Sequence, residues 1–405
     1  MVSKSMENLV KNSSTIRQMF EEGNNLIKKY GKENVFDFSI GNPSVNPPKE
    51  LNSSIKEIVD NTDSKELHGY MSNAGYEDVR INVANYLNNE FNTSFNKQNI
   101  IMCCGAAAGL NIILKSILNP DDEVIIFKPY FMEYRNYISN YNGKIVEIEA
   151  LEDFTPNLED LKNKINEKTK AIIINNPNNP SGVLYSEDII KSLSNVLYKA
   201  QEKYNHDIFL ISDEPYREIV FDGKKAPFIP KYYNNSFIVY SYSKSLSIPG
   251  ERIGYVIVPD EINDKENIFN AISIANRILG FINAPSLMQK VLSKLLGKTS
   301  DLSEYEKNRD LLYNGLTDLG YTCIKPQGTF YLFLKSPVKD EKEFIEKAKK
   351  FNILMVPGSS FACPGYVRIA FCVEYEMIKR ALPKFKELAK EFNLGVWFKW
   401  WKWQY

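Results

Sequence analysis

Histidine is almost missing from this chain: 405 residues contain two, His68 and His206, far apart in sequence. A histidine-built metal centre or a Ser-His-Asp mechanism is therefore not expected. The five cysteines, Cys103, Cys104, Cys323, Cys363 and Cys372, show no C-x-x-C spacing. A chain this long needs no disulfide staples, so reduced and mostly buried thiols are expected. An excess of charge of one sign is missing too. Lys+Arg and Asp+Glu both number 50, for a formal net charge of zero, which points to neither nucleic acid nor a membrane as partner. No apolar run approaches the ~20 residues needed to span a bilayer. Met1 to Met6 is polar and lacks the apolar stretch of a signal peptide, so the expected compartment is cytoplasmic. Tryptophan is absent before residue 397, and all four lie within Trp397 to Trp403. Interleaved Trp and Lys suits an interfacial membrane segment, but the stretch is very short. Residues 395–405 are read as an atypical tail, a non-native or read-through extension.

What is present is ordinary in amount and informative in order. Hydrophobic content of 43% and charged content of 25% fit a soluble globular protein. The length exceeds the ~250–300 residues at which one core stops growing, so two domains are expected. Ser13-Ser14 is placed to cap a helix running to Tyr30, and Val35 to Ile40 reads as a short strand. From about residue 98 to 258, short apolar runs such as Val124–Phe127, Ala171–Ile174, Ile208–Ile211, Phe237–Tyr240 and Tyr255–Val258 alternate with amphipathic stretches. That alternation predicts an α/β fold, a mainly parallel sheet with helices on both faces. The C-terminal third carries longer charged helices around three short strands, Tyr321–Ile324, Thr329–Leu334 and Tyr366–Ala370, which predicts a smaller α+β domain.

Polar motifs follow the apolar runs. Ser241-Tyr-Ser-Lys244 comes just after Phe237–Tyr240, and Arg252 follows eight residues later beside Gly254. A lysine at the end of a buried strand can lose its proton more easily, as a Schiff-base lysine requires. The nearby hydroxyls and Arg252 suit a phosphate. An aldehyde cofactor carrying a phosphate, pyridoxal 5′-phosphate, fits both. Asn175 to Gly182, Ser212 to Tyr216 and Cys104 to Ala107 likewise follow apolar runs. Carboxyl ends of strands are where open α/β sheets bind ligands.

Taken together, these motifs resemble the class I/II aminotransferases of pyridoxal-phosphate fold type I, over about residues 14 to 394. The resemblance implies a large cofactor-binding domain over 46–295 and a small domain built from 1–45 and 296–394. It implies that Lys244 holds the cofactor and moves a proton, and that Asp213 pairs with the pyridinium nitrogen. Asp213 could also be a plain helix cap. Tyr216 and Asn179 would meet the cofactor's phenolic oxygen, although Asn179 alone reads equally as a turn residue before Pro180. Gly105, Ala106 and Ala107 would offer backbone N–H groups to the phosphate at a helix start. Ala107 has no side-chain donor where relatives often carry one, which leaves more to Ser241, Arg252 and, secondarily, Ser243. Phe131 would stack on the ring, or serve simply as a core aromatic. Arg368, an arginine inside the apolar run Tyr366–Ala370, would grip the substrate α-carboxylate, with Gly41 close by and Thr329 to Tyr331 behind.

The implied partners are an amino acid and a 2-oxo acid in a ping-pong cycle through pyridoxamine phosphate, with no nucleic acid and no membrane. A homodimer with shared active sites is implied as well, with Tyr70 of one subunit reaching the other's phosphate. Arg277, in Ala275 to Gly280, is a candidate for binding a side-chain carboxylate across the dimer, though its spacing is off by one residue and a surface role competes. The substrate pair expected is aspartate or glutamate with 2-oxoglutarate. The competing readings are a C–S β-lyase on the same scaffold and an aromatic amino acid aminotransferase.

Overall fold

The computed structural model describes residues 2–11 and 15–395. The cap expected at Ser13-Ser14 and the tryptophan-bearing part of the tail lie outside the described residues. Among the described residues twelve strands run in chain order: β1 Phe36–Asp37, β2 Ile100–Cys103, β3 Glu123–Phe127, β4 Lys144–Ile148, β5 Thr169–Asn175, β6 Phe209–Asp213, β7 Ser236–Ser241, β8 Gly254–Ile257, β9 Tyr331–Lys335, β10 Ile353–Leu354, β11 Val356–Pro357 and β12 Tyr366–Ala370. Seven form one sheet in the order β2-β8-β7-β6-β5-β3-β4. Every neighbouring pair is parallel except the two made by β8, which is antiparallel to both β2 and β7. The amino end of β8 therefore lies at the same edge as the carboxyl ends of the others. That reversal is what brings Arg252, two residues before β8, to the edge where Ser241 and Asp213 emerge.

The strands read as unbroken apolar runs because both sheet faces are covered. Alternate residues feed two cores. Ile172, Ile174, Leu210 and Ile238 point to one; Ala171, Ile173, Ile211 and Val239 point to the other. The helices Glu77–Phe91, Glu187–Tyr204 and Ser286–Leu292 close the first face, and Ala106–Ile117 and Lys265–Ile278 close the second. Fully burying an isoleucine contributes about 1.5–3 kcal/mol, so these facing rows hold the edge residues at fixed heights. The helix Glu187–Tyr204 shows why the chain punctuates where it does. Ser186 Oγ accepts from the Ile189 amide, the apolar row Ile190, Leu193, Leu197 turns inward, and Asn205 ends it at φ 55°.

A further core gathers Phe36 and Phe38, Tyr216 to Phe221, and residues from Tyr305 to Ala389. Here β11-β12-β9 form an antiparallel sheet and β1 pairs parallel with β10. Tyr321–Ile324, expected as a strand, makes one isolated bridge, Cys323 to Leu334. Pro326 and Gly328 follow too soon for a ladder to extend. The strands β10 and β11 are two residues each and have no readable period. All five cysteines are free; Cys103 and Cys372 are buried and the others partly so. No helix among the described residues is long and apolar enough to cross a membrane.

Candidate active site

Adjacent parallel strands deliver the site's side chains at one level. Register sets Asn175 opposite Asp213, and Asp213 opposite Val239, two residues before Ser241. Gly254 faces Ser241 on one side and Cys103 on the other. Above this edge lies a cavity of about 330 Å³. All the expected site residues line it except Gly105 and Tyr70. Gly41, Ala106, Ala107, Phe131, Asn179 and Asp213 are in its wall, as are Tyr216, Ser241, Ser243, Lys244, Arg252 and Arg368.

Lys244 is half-buried, and its Nζ donates to the Gly41 carbonyl at 2.7 Å. Burial lowers its pKa to about 8, and Arg368 and Arg252 add to the fall while Cys372 opposes it. The cause is desolvation of the ammonium, with two cations nearby disfavouring a third. Asp213 is buried. Its Oδ2 accepts from the Tyr134 hydroxyl at 2.5 Å, while Oδ1 is buried with no hydrogen-bond partner among the described residues. Burial pushes this carboxyl up to about 7, against the Tyr134 bond, which pulls it down. The turn after it is held from behind. Glu214 accepts from Ser212 Oγ at 2.7 Å and from Arg217 Nε at 2.6 Å, and Arg217 also donates to the Tyr255 hydroxyl at 3.1 Å.

Arg368, on β12, donates to Asn179 Oδ1 at 3.1 Å and to the Ser39 carbonyl at 3.0 Å. Its guanidinium lies over the Tyr331 and Phe361 rings at 4.3 and 4.7 Å, and its buried Nε has no partner. Asn179 is set by its own amide, which donates to Asn175 Oδ1 at 2.6 Å; Asn175 Nδ2 donates to the Asp213 carbonyl. Tyr216 and Tyr331 meet hydroxyl to hydroxyl at 3.3 Å. A Cβ added at Gly41 would fall 1.9 Å from the Tyr331 hydroxyl, so that position admits only glycine beside this ring.

The other end of the cavity gathers donors whose chemistry suits an anion. Gly105, at φ 79°, caps the helix Ala106–Ile117, and the first amides of a helix have no carbonyl partner within it. Arg252 donates to Ser243 Oγ at 3.4 Å and to the Pro249 carbonyl at 3.0 Å, and Ser241 Oγ donates to Ser243 Oγ at 2.8 Å. Gly105 lies behind this group: a Cβ there would come within 3.0 Å of Arg252.

Tyr70 is elsewhere. It is 93% exposed, on a loop whose carbonyls at Met71, Ser72 and Asn73 are held by Asn283 and Asn276 side chains. Arg277 is exposed on the helix Lys265–Ile278 and does not line the cavity. Residues that sequence reasoning passed over are Asn175, Tyr134, Tyr137, Glu214 and Arg217. The signal for Tyr134 and Tyr137 was present, since tyrosines recur at 130, 134, 137 and 141, but only the helix packing shows which face the cavity. Among the described residues no cluster of His, Cys, Asp or Glu could hold a metal ion.

The profile of the family "Aminotransferase class I and II" matches residues 33–385, and the chain belongs to that family of enzymes. A probable aspartate aminotransferase of Methanocaldococcus jannaschii is 32% identical over 96% of this chain and all of its own length. Aromatic-amino-acid aminotransferase 2 of Thermococcus litoralis is 28% identical over 95% of this chain and 97% of its own. The crystal structure of an aminotransferase from Eubacterium rectale superposes with a TM-score of 0.95 at 48% identity, covering 97% of this chain and 99% of that one.

Proposed function

We propose that this aminotransferase uses pyridoxal 5′-phosphate to move an amino group between aspartate or glutamate and 2-oxoglutarate, in a ping-pong cycle in the cytoplasm. One observation carries the cofactor reading: the buried Asp213 Oδ1, an acceptor without a donor in the cavity that also holds Lys244. A buried unpaired acceptor costs about 1–3 kcal/mol. A protonated ring nitrogen would satisfy it, and its positive charge would oppose the effect of burial and keep the carboxylate ionised. The anion-binding end fits a phosphate, through the Ala106 and Ala107 amides, Ser241, Ser243 and Arg252. Phe131 would cover the ring, and Asn179 and Tyr216 would meet its phenolic oxygen.

When bound, the cofactor supplies an aldehyde carbon and an electron-accepting ring. Lys244 supplies an amine that burial holds partly neutral near pH 8, able to take and return a proton at Nζ. Arg368 would bind the substrate α-carboxylate. Its bonds to Asn179 and the Ser39 carbonyl and its stacking on Tyr331 and Phe361 hold the plane of the fork. The peptide at Gly41 and the Tyr331 hydroxyl bound that pocket.

A second copy of this chain would complete the site. Ile274, Ile278, Ile282 and Tyr70 are large exposed apolar groups, two of them one turn apart on the helix that carries Arg277. The Tyr70 loop is tied to that helix through Asn276. Residues 46–295 would form the large cofactor-binding domain, and 1–45 with 296–394 the small one. The dicarboxylate reading is supported by the names of relatives such as the M. jannaschii protein. Aromatic substrates are a second reading, favoured by Phe131, Tyr137, Tyr216 and Tyr331 in the cavity wall.

The test uses the purified protein loaded with pyridoxal 5′-phosphate. Aspartate and phenylalanine are each offered with 2-oxoglutarate, and glutamate formation is measured. Glutamate from aspartate, faster than from phenylalanine, is expected. Ammonia and pyruvate from a cysteine-type substrate, with no glutamate from any donor, would overturn the reading in favour of β-elimination.

A further inference from the structure

The helix that opens onto the anion-binding end begins Ala106-Ala-Ala108, with no side-chain donor in its first turn. A second helix, Glu133–Ser139, lies beside it, and Tyr141, two residues past its end, ties it to the first. The Tyr141 hydroxyl donates to Asn111 Oδ1 at 3.0 Å, and Asn111 Nδ2 donates to the Ala107 carbonyl at 2.8 Å. Tyr137 and Ala107, each four positions earlier in the sequence, both line the cavity with Ser243 and Arg252. Tyr134, buried behind the wall, fixes the helix at the Asp213 end, because it donates to Asp213. Three residues on, Tyr137 lies about 4.5 Å further along the axis and turned by about 60°.

Tyr137 is half-buried, and its hydroxyl makes no hydrogen bond to the described residues. We propose that the Tyr137 hydroxyl is a donor to the cofactor phosphate, supplying the side-chain contact that the helix start lacks at Ala107; this rests on the pyridoxal 5′-phosphate reading above. Burial and the carboxylates of Glu133 and Asp213 raise the phenol's pKa, so it stays a donor across the working pH range, while Arg252 pulls the other way. A donor rather than a second anion is what a doubly charged phosphate requires.

The experiment compares two ligands that differ only in the phosphate. Protein stripped of cofactor is titrated calorimetrically with pyridoxal 5′-phosphate and with pyridoxal, as parent, Tyr137→Phe, and Tyr137→Phe combined with Ala107→Ser. A bond to a charged oxygen corresponds to about a ten- to hundredfold change in affinity. Tyr137→Phe should lose that factor for the phosphorylated ligand alone, keep the parent's affinity for pyridoxal and keep its thermal midpoint. Ala107→Ser should recover part of the loss. Unchanged affinity for pyridoxal 5′-phosphate, or equal losses for both ligands, overturns the assignment, the second by showing a packing role. A parent that binds neither ligand overturns the cofactor reading and this inference with it.

Discussion

Alanine at position 41 tests the closest packing in the site. Gly41 has no left-handed backbone to protect; the obstacle is space. The added Cβ would sit 1.9 Å from the Tyr331 hydroxyl, 2.8 Å from Cζ and 3.0 Å from Cε1. The ring cannot retreat, since Tyr331 is buried between Phe330 at 5.0 Å and Tyr216 at 5.9 Å, with Arg368 stacked at 4.3 Å. The peptide must therefore move, and with it the carbonyl that accepts from Lys244. Overpacking costs about 1–3 kcal/mol, and the bond to a charged amine about 1.5–3. Gly41→Ala should lose about 2–4 kcal/mol of stability. Tyr331→Phe removes the nearest atom, so the closest contact of the new Cβ becomes 2.8 Å. Alone it should cost about 1 kcal/mol, for the long bond to Tyr216. Combined, the two should cost less than their sum by about 1–2 kcal/mol. Guanidinium unfolding of the parent, both single variants and the double variant closes the cycle. Additivity within ~0.5 kcal/mol would refute the argument, because it would show that the Tyr331 hydroxyl is not what excludes a side chain at 41.

In cofactor-free protein, Lys244 should react with an amine-specific reagent along a titration centred near pH 8, well below the 10.5 of a free lysine. Its folded pKa is depressed, so the unfolded chain binds the extra proton between those values, and stability from this group rises with pH across that window; Lys244→Met should abolish that component of the slope. Arg368→Lys keeps the charge but loses the planar fork, and kcat/KM should fall at least about a hundredfold for every α-amino acid tested; an effect confined to one substrate would remove Arg368 from the α-carboxylate. Arg277→Leu, assayed on aspartate and phenylalanine, should cost about 2–5 kcal/mol of transition-state binding for aspartate alone if it binds a side-chain carboxylate across a dimer; equal small losses on both would leave it a surface residue.

The large sheet was legible because its strands are buried on both faces and so spell continuous apolar runs. The motifs at their carboxyl ends then placed Asn179, Asp213, Lys244 and Arg252 around one cavity. Residues 321–324 misled because an apolar segment without a partner ladder looks the same in sequence as one with it. The strands at 353–354 and 356–357 are too short to carry a period. Tyr134 and Tyr137 were hidden by their setting, since tyrosines recur through 130–141 and pattern alone does not separate core from cavity. Glu214, next to Asp213, and Arg217, next to Tyr216, pair three residues apart, where sequence reads only helix-start chemistry. Tyr70 is different again: its sequence context suggested a site residue, and a single chain leaves it in solvent.

The bond from Arg368 to the Ser39 carbonyl joins residues 329 positions apart. At a synthesis rate of roughly 5–20 residues per second, the ribosome needs on the order of fifteen to sixty-five seconds to make the second partner after the first. Through that interval the strand at Phe36–Asp37 also waits, since its own partner is Ile353–Leu354. The emerging chain must therefore hold an apolar N-terminal segment without its neighbours while the large sheet folds. Biogenesis of this enzyme should accordingly depend on keeping residues 35–41 from pairing elsewhere, and a nascent chain stalled before residue 368 lacks part of its cavity wall, however complete its sheet.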